Sequence, residues 1–408
     1  MQRSLLALAL GAAITLPLAT FAQQPPQQPL GSAPPVPGWQ QGRPDSQAAS
    51  PLAPNAPKLT VTPLDQVPVG RLTLPAGFRA EVYASGMPGA RMMAVGANGT
   101  LFIGTRTIGR VYAVSMEGGQ RRVRTIASGL NQPNGIAFRD GALYVIAINK
   151  VLRFDGIEGK LDAPGTPVDL TAAFALPTEE HHGWKFTTFG PDGKLYMQVG
   201  APCNICSVDE NRHAVLLRYN PDGTGREVVA RGVRNSVGMA HHPATGQLWF
   251  SNNGRDWAGE DEPEDTLGVV QKIGEHFGFP YCHMGSMQDP EIKGRECSEF
   301  SQPALRLGAH TAALGMRFYT GDMFPAEYRN SMFIARHGSW NRTQRVGYDV
   351  VRVTLDAQGK PTMHPFLGGL LEGNNFLGRP TDVQQLPDGS LLVSDEQMGA
   401  IYRITYAR

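Results

Sequence analysis

Between His182 and Trp257 the chain gathers polar residues more densely than a scaffold requires: His182, the pair Arg234-Asn235, and the run Asn252-Asn253-Gly254-Arg255-Asp256. Histidine has an unperturbed pKa close to neutrality, so His182, within Glu180-His181-His182-Gly183-Trp184, can accept a proton under ordinary conditions. Alternate residues of a strand face opposite ways, so only one of the pair His181-His182 is expected to face a site. A guanidinium beside an amide suits a planar acidic or quinoid ligand, because arginine pairs with carboxylates in a bidentate manner and stacks on π faces. Arg91 and Arg379 stand in places comparable to Arg234, each ahead of an apolar, strand-like segment. Three arginines at equivalent positions would aim one positive cluster at a common point. The loop from Asn253 into Glu260-Asp261-Glu262 offers carboxylates and backbone carbonyls, which are the ligands Ca²⁺ takes, but it lacks the pattern of an EF-hand.

A repeated turn-strand unit must position these residues. Its copies are Asn98-Gly99-Thr100-Leu101-Phe102-Ile103, Asp140-Gly141-Ala142-Leu143-Tyr144-Val145, Asp192-Gly193-Lys194-Leu195-Tyr196-Met197, Thr245-Gly246-Gln247-Leu248-Trp249-Phe250, a degenerate Asn330-Ser331-Met332-Phe333-Ile334, and Asp388-Gly389-Ser390-Leu391-Leu392-Val393. Asn-Gly and Asp-Gly favour the positive φ of tight hairpin turns, and strand formers follow them. A second strand follows most copies, as in Arg110-Val111-Tyr112-Ala113-Val114 and Ile401-Tyr402-Arg403-Ile404. Recurrence at 42, 52, 53, 85 and 58 residues predicts an all-β, six-bladed β-propeller, with the longest gap taken up by an insertion on one face. Inner strands of a propeller converge on an axis, so residues distant in sequence meet at one mouth.

The ends define the remaining organisation. Residues 1–22 read as a signal peptide, with Arg3, an apolar run from Leu5 to Leu18, and a small residue at Ala22 before the expected cleavage. Pro17 interrupts that run, which is too short to span a bilayer, so no membrane span is expected after cleavage. Residues 23–58 are Pro-, Gln- and Ala-rich and predict a disordered linker, leaving 59–408 for the propeller. The 48 glycines and 32 prolines fit a turn-rich β protein, and a net charge of +1 with mixed signs argues against nucleic-acid binding. Four cysteines in an exported chain predict two local disulfides, Cys203–Cys206 and Cys282–Cys297, and a periplasmic or secreted location.

Over most of residues 70–408 the ordered set of motifs resembles the soluble quinoprotein glucose and sorbosone dehydrogenases. The set comprises His182 ahead of Gly190-Pro191-Asp192-Gly193, then Arg234-Asn235, Asn253-Gly254-Arg255-Asp256-Trp257, His310 with Leu314-Gly315-Met316, His337-Gly338-Ser339-Trp340-Asn341-Arg342, and Arg379. The Gly338-Ser339-Trp340-Asn341-Arg342 run is nearer the sorbosone-dehydrogenase-like branch. The resemblance implies oxidation of a sugar or related alcohol with pyrroloquinoline quinone (PQQ) and Ca²⁺, and an electron acceptor it does not identify. It places the catalytic base on His182, cofactor contacts on Arg234, Asn235 and Arg379, and calcium-binding carbonyls at Gly254 and Arg255. Position adds Arg91 to the cofactor set. Arg255 stands where the glucose enzymes carry proline. Their cofactor-contacting lysine has no clear counterpart, for which Arg342 or Lys185 substitutes. The alternatives are a metal-dependent lactone hydrolase of the gluconolactonase type and a non-catalytic binding propeller.

Overall fold

The computed structural model describes residues 37–407, so the expected signal peptide, the first part of the linker and Arg408 lie outside it. Pro37 onward forms one compact unit. The predicted six-bladed propeller is present. Blade 1 is built from Met93–Val95, Leu101–Ile103, Val111–Glu117 and Gln120–Ala127, each strand antiparallel to the next. Blades 2, 3 and 5 repeat that meander, beginning at Gly135–Arg139, Thr187–Phe189 and Ala313–Phe318. In blade 4 (Met239–His241, Leu248–Asn252, Glu264–Val269) the fourth strand, Leu305–Ala309, arrives only after a long excursion. That excursion is the expected insertion, and both predicted disulfides, Cys203–Cys206 and Cys282–Cys297, are formed. The insertion also sends Glu275–His276 to pair in parallel with Glu227–Arg231 of blade 3, which stitches two blades together.

The repeat glycines behave as their turns require. Gly141 has φ +78° after Asp140 at +50°, the two-residue turn that joins Gly135–Arg139 to Ala142–Ile146. In the degenerate fifth copy it is Asn330, not Ser331, that takes the left-handed conformation, at φ +60°. Asparagine tolerates that region better than most residues.

The middle strands are buried on both faces, because each blade packs between two others. Leu195 and Met197 face blade 2, while Tyr196 between them packs with Leu248 and Phe250 of blade 4. Six apolar clusters therefore sit between adjacent blades, rather than one central core. The ring closes by joining the two ends of the propeller. Blade 6 takes Pro380–Gln385, Leu391–Asp395 and Ala400–Tyr406 from the C-terminal end, and Phe78–Ala84 pairs with the last of these as its outer strand.

Residues 37–58 carry short helical turns at Gly38–Gln40 and Asp45–Gln47, and Trp39 and Arg43 meet aromatic rings of the propeller. Among the described residues no helix is long and apolar enough to cross a membrane.

Phe78 anchors the closing strand, meeting Phe324, Tyr328, Phe366 and Tyr406 at centroid distances of 4.8–5.2 Å. Phe78→Ala should cost about 3–5 kcal/mol in an equilibrium urea melt, the usual range for an aromatic deleted from a core. A loss below about 1 kcal/mol would show that closure does not depend on this ring.

Candidate functional site

At one mouth of the propeller lies a cavity of ≈ 610 Å³, within the ~300–1,000 Å³ usual for small-ligand sites. Much of its wall comes from two places that recur among the blades. Just before a blade's first strand come Arg91, Arg234-Asn235, Ala312 and Arg379; just after its second come Arg106, Asn253-Gly254 and His337-Gly338. Arg91, Arg234 and Arg379 thus meet as their equivalent positions predict. Arg106 makes a fourth that sequence reasoning missed. The signal was available: it follows Leu101–Ile103 as Asn253 follows Leu248–Asn252.

His182 is buried at the cavity wall in a left-handed backbone conformation, φ +50°, seldom adopted by a non-glycine residue. Its Nδ1 lies 2.9 Å from the carbonyl oxygen of Ala201. With the proton on Nδ1 donated to that carbonyl, Nε2 keeps a free lone pair. Burial, with His181 and Arg234 nearby, holds the His182 pKa well below the usual 6.5, so the ring is neutral at physiological pH. Gly200 is needed beneath it, since a Cβ there would come 2.5 Å from the His182 Cβ. His181 also lines the cavity, contrary to the expectation that the two rings face opposite ways. The segment is a turn rather than a strand, so strand alternation does not govern it.

The arginines differ in how they are satisfied. Arg91 donates to Glu396 at 2.7 Å and to Asn134 at 2.9 Å. Arg234 is held by the Asn204 carbonyl at 2.9 Å, Asn204 Oδ1 at 2.7 Å and Asp256 at 3.2 Å. Arg106 and Arg379, by contrast, are hydrogen-bonded to no carboxylate among the described residues. Arg106 bonds only Gln132 while its guanidinium lies 3.7 Å from the Trp184 ring centre, and Arg379 Nε is buried without a partner. Burial and the neighbouring Arg91 lower the Arg106 pKa to about 10, which leaves it charged at neutral pH. The buried Asn235 Oδ1 also lacks a partner. A cavity with unpaired cations and unsatisfied polar atoms suits a polar anionic ligand.

Arg342, expected at the cofactor, is not among the residues lining this cavity. Its guanidinium bonds the Glu260 carbonyl at 2.6 Å and Asp261 at 2.8 Å, and the motif contributes Trp340 and Asn341 to the wall instead. Lys185 is buried behind the wall, bonding the carbonyls of Pro177 and Gly183, and burial lowers its pKa to about 8. Gly254 is on the wall and donates its N–H to Asp265 at 2.9 Å. Burial raises the Asp265 pKa, and this carboxylate takes its other hydrogen bonds from Thr311 and Ala312, not from a basic side chain. The Arg255 side chain turns away into Asp289 and Glu291, at 2.7 and 2.6 Å. Among the described residues no three His, Cys, Asp or Glu side chains converge as a metal site, so a calcium ion here would rest largely on carbonyl oxygens.

A family model described as Glucose / Sorbosone dehydrogenase matches residues 170–403. An uncharacterized protein of Borreliella burgdorferi is 32% identical over 351 residues, which cover 83% of this chain and 91% of that protein. Among solved structures, the calcium structure of Trichoderma reesei carbohydrate-active enzyme family AA12 aligns with TM-score 0.68 and 19% identity, over 82% of this chain and 97% of its own. The holo form of the pyranose dehydrogenase PQQ domain from Coprinopsis cinerea aligns with TM-score 0.66 and 17% identity, over 82% and 97%. At such identities the structural likeness speaks for the fold.

Glu396 joins two of the cavity's groups, accepting from Arg91 and lying 2.8 Å from His337 Nε2. Burial alone would raise its pKa, but the Arg91 charge and the His337 hydrogen bond hold it well below the carboxylate range. Burial, reinforced by Arg379, lowers the His337 pKa to about 3 despite Glu396. The unfolded chain therefore binds a proton at His337 below pH 6.5 that the folded protein refuses until about pH 3, so stability falls as pH drops through that window. His337→Gln should reduce the pH slope of unfolding free energy there by about one proton, or about 1.4 kcal/mol per pH unit. An unchanged slope would mean that His337 is protonated in the folded state.

Proposed function

The chain belongs to the glucose/sorbosone dehydrogenase family, and we propose that it oxidises a sugar, sugar aldehyde or related alcohol with PQQ and Ca²⁺, using His182 as the base. The observation that carries this reading is the pairing of a neutral, oriented His182 with two guanidiniums on the cavity wall, the half-buried Arg106 and the buried Arg379, that are hydrogen-bonded to no carboxylate. Four arginines on one wall favour an anionic cofactor over a neutral lactone, and a purely binding propeller has no need of a poised imidazole. The PQQ domain and the calcium structure among the similar folds lend support. Two disulfides agree with a periplasmic or secreted location.

The unpaired polar groups of the wall suit PQQ, and calcium would rest on backbone carbonyls. Arg91, Arg106, Arg234, Asn235 and Arg379 would hold the carboxylates and carbonyls of PQQ, which when bound supplies a quinone carbonyl able to take up a hydride. The carbonyls of Gly254 and Arg255 would hold calcium near Asp265, whose carboxylate is bonded by no basic side chain, and calcium would supply a Lewis acid there. The protein's own part is proton transfer and orientation. His182 Nε2 accepts the proton of the substrate hydroxyl as the carbon–hydrogen bond breaks, and the Ala201 carbonyl supports the imidazolium through Nδ1–H. Arg234, fixed by Asn204, presents its charge in one orientation without needing to reorganise during the reaction.

The direct test adds PQQ and Ca²⁺ to the purified protein and follows quinone absorbance and sugar-dependent dye reduction. Failure to bind PQQ would remove the reading. His182→Gln should still load cofactor while turnover falls about 10²–10⁴-fold. Because the wild-type imidazole is already neutral, the acid limb of kcat/KM should lie well below pH 6.5. A limb at or above 6.5 would assign the base elsewhere. Arg379→Ala should weaken PQQ roughly 10–100-fold in a titration, the loss of one charge-assisted contact. An unchanged PQQ affinity with a raised sugar KM would move Arg379 to the substrate.

A further inference from the structure

Trp39 is the only aromatic residue between Gln23 and Lys58, and it is anchored at the cavity. The described chain touches the cavity wall at Gly38-Trp39 and again at Pro54-Asn55, where Asn55 Nδ2 reaches the Tyr348 hydroxyl at 3.4 Å. The Trp39 indole stands edge-on to Trp340 at 5.8 Å and tilted to Trp257 at 6.4 Å, and the Trp257 indole N–H donates to the Trp39 carbonyl. Arg43 lies over the Trp257 ring at 4.7 Å. Gln41 is tied to Asn204 by two hydrogen bonds, of 2.6 and 3.1 Å, and the same Asn204 orients Arg234. A Cβ on Gly38 would come 2.2 Å from His181 Nδ1, so this backbone lies directly on the ring beside the proposed base.

We propose that residues 38–55 form a fixed outer wall of the sugar pocket, and that Trp39 determines specificity by admitting one sugar ring and rejecting sugars extended by more. The inference rests on the sugar-oxidising reading of the site and adds the size of its substrate. On this reading the ≈ 610 Å³ cavity holds the quinone as well as the sugar, and Gly38-Trp39 stand on its wall beside His181 and His182. Trp39 is only half-buried, packed on Trp257 and Trp340 and open to the cavity, where a pyranose ring can lay its apolar face on the indole. A second ring joined beyond the first would have to displace a segment held by an aromatic cluster and by the Gln41–Asn204 pair.

The test uses the full mature chain with Trp39→Ala, Trp39→Phe and Gln41→Ala, the last keeping the indole but removing one anchor. Diethyl pyrocarbonate labelling of His181 and His182 in cofactor-free protein, read by peptide mass spectrometry, reports the wall without reference to activity. Labelling should accelerate roughly 10-fold in Trp39→Ala, less in Gln41→Ala, and return near the wild-type rate in Trp39→Phe. With PQQ and Ca²⁺ added, the ratio of kcat/KM for maltotriose to that for glucose should rise roughly 10-fold in Trp39→Ala, while PQQ affinity in a separate titration stays unchanged. Unchanged labelling in Trp39→Ala would overturn the wall, and an unchanged sugar ratio would overturn the specificity role. If PQQ does not bind or no sugar is oxidised, the functional reading falls and takes the specificity role with it. The labelling still decides the wall.

Discussion

Each blade of this protein is apolar on both faces and can bury neither alone. That constraint makes the ring: every face needs a neighbour, and a row of blades leaves two faces bare until the first meets the last. The pairing of Phe78–Ala84 with Ala400–Tyr406 removes the bare ends by building one blade from both ends of the propeller. Closure spreads the core into clusters between blades, so a middle strand such as Ala142–Ile146 reads as an unbroken apolar run. It also leaves the blade-to-blade loops as the places where polar residues can collect without disturbing packing.

Rigidity at the mouth follows from that closure and is reinforced by local devices. The short loop closed by Cys203–Cys206 presents Asn204, whose carbonyl and side-chain oxygens grip Arg234 while its nitrogens bind Gln41 and the Asp256 carbonyl. Asn204 is fully buried, so each of these groups must be satisfied within the protein, and each is. One asparagine thus couples the disulfide loop, the arginine and the N-terminal segment.

Charge at the mouth is left deliberately unbalanced. Glu396 neutralises Arg91, and Asp256 sits against Arg234, yet Arg106 and Arg379 face the cavity without a carboxylate. Holding unpaired cations at a largely buried wall costs stability, which an anionic ligand would offset. The same positive surroundings, together with burial, keep His182 neutral.

Much of this was legible in the residues. Asn-Gly and Asp-Gly turns followed by strand formers are local chemistry, so their recurrence revealed the blades, their number and the insertion before Ser331. Blade equivalence also placed Arg91, Arg234 and Arg379 together, because a propeller brings equivalent positions to one axis. What local chemistry cannot contain is which partner each side chain meets across the ring. Arg342 looks like its neighbours in the motif, but Asp261, 81 positions away, decides where its charge goes. Arg106 follows its blade's second strand as Asn253 follows its own, so the same blade equivalence brings it to the cavity. The segment from Pro37 to Lys58 lacks the apolar residues to fold alone, and only Trp257 and Trp340, more than two hundred residues away, give Trp39 somewhere to bind. Short-range sequence determined the strands, the turns and the likeness of one blade to the next. The tertiary structure decided the neutrality of His182, the unpaired state of Arg106 and Arg379, and the closed mouth, because burial and charge pairing are set by residues brought together only when the ring closes.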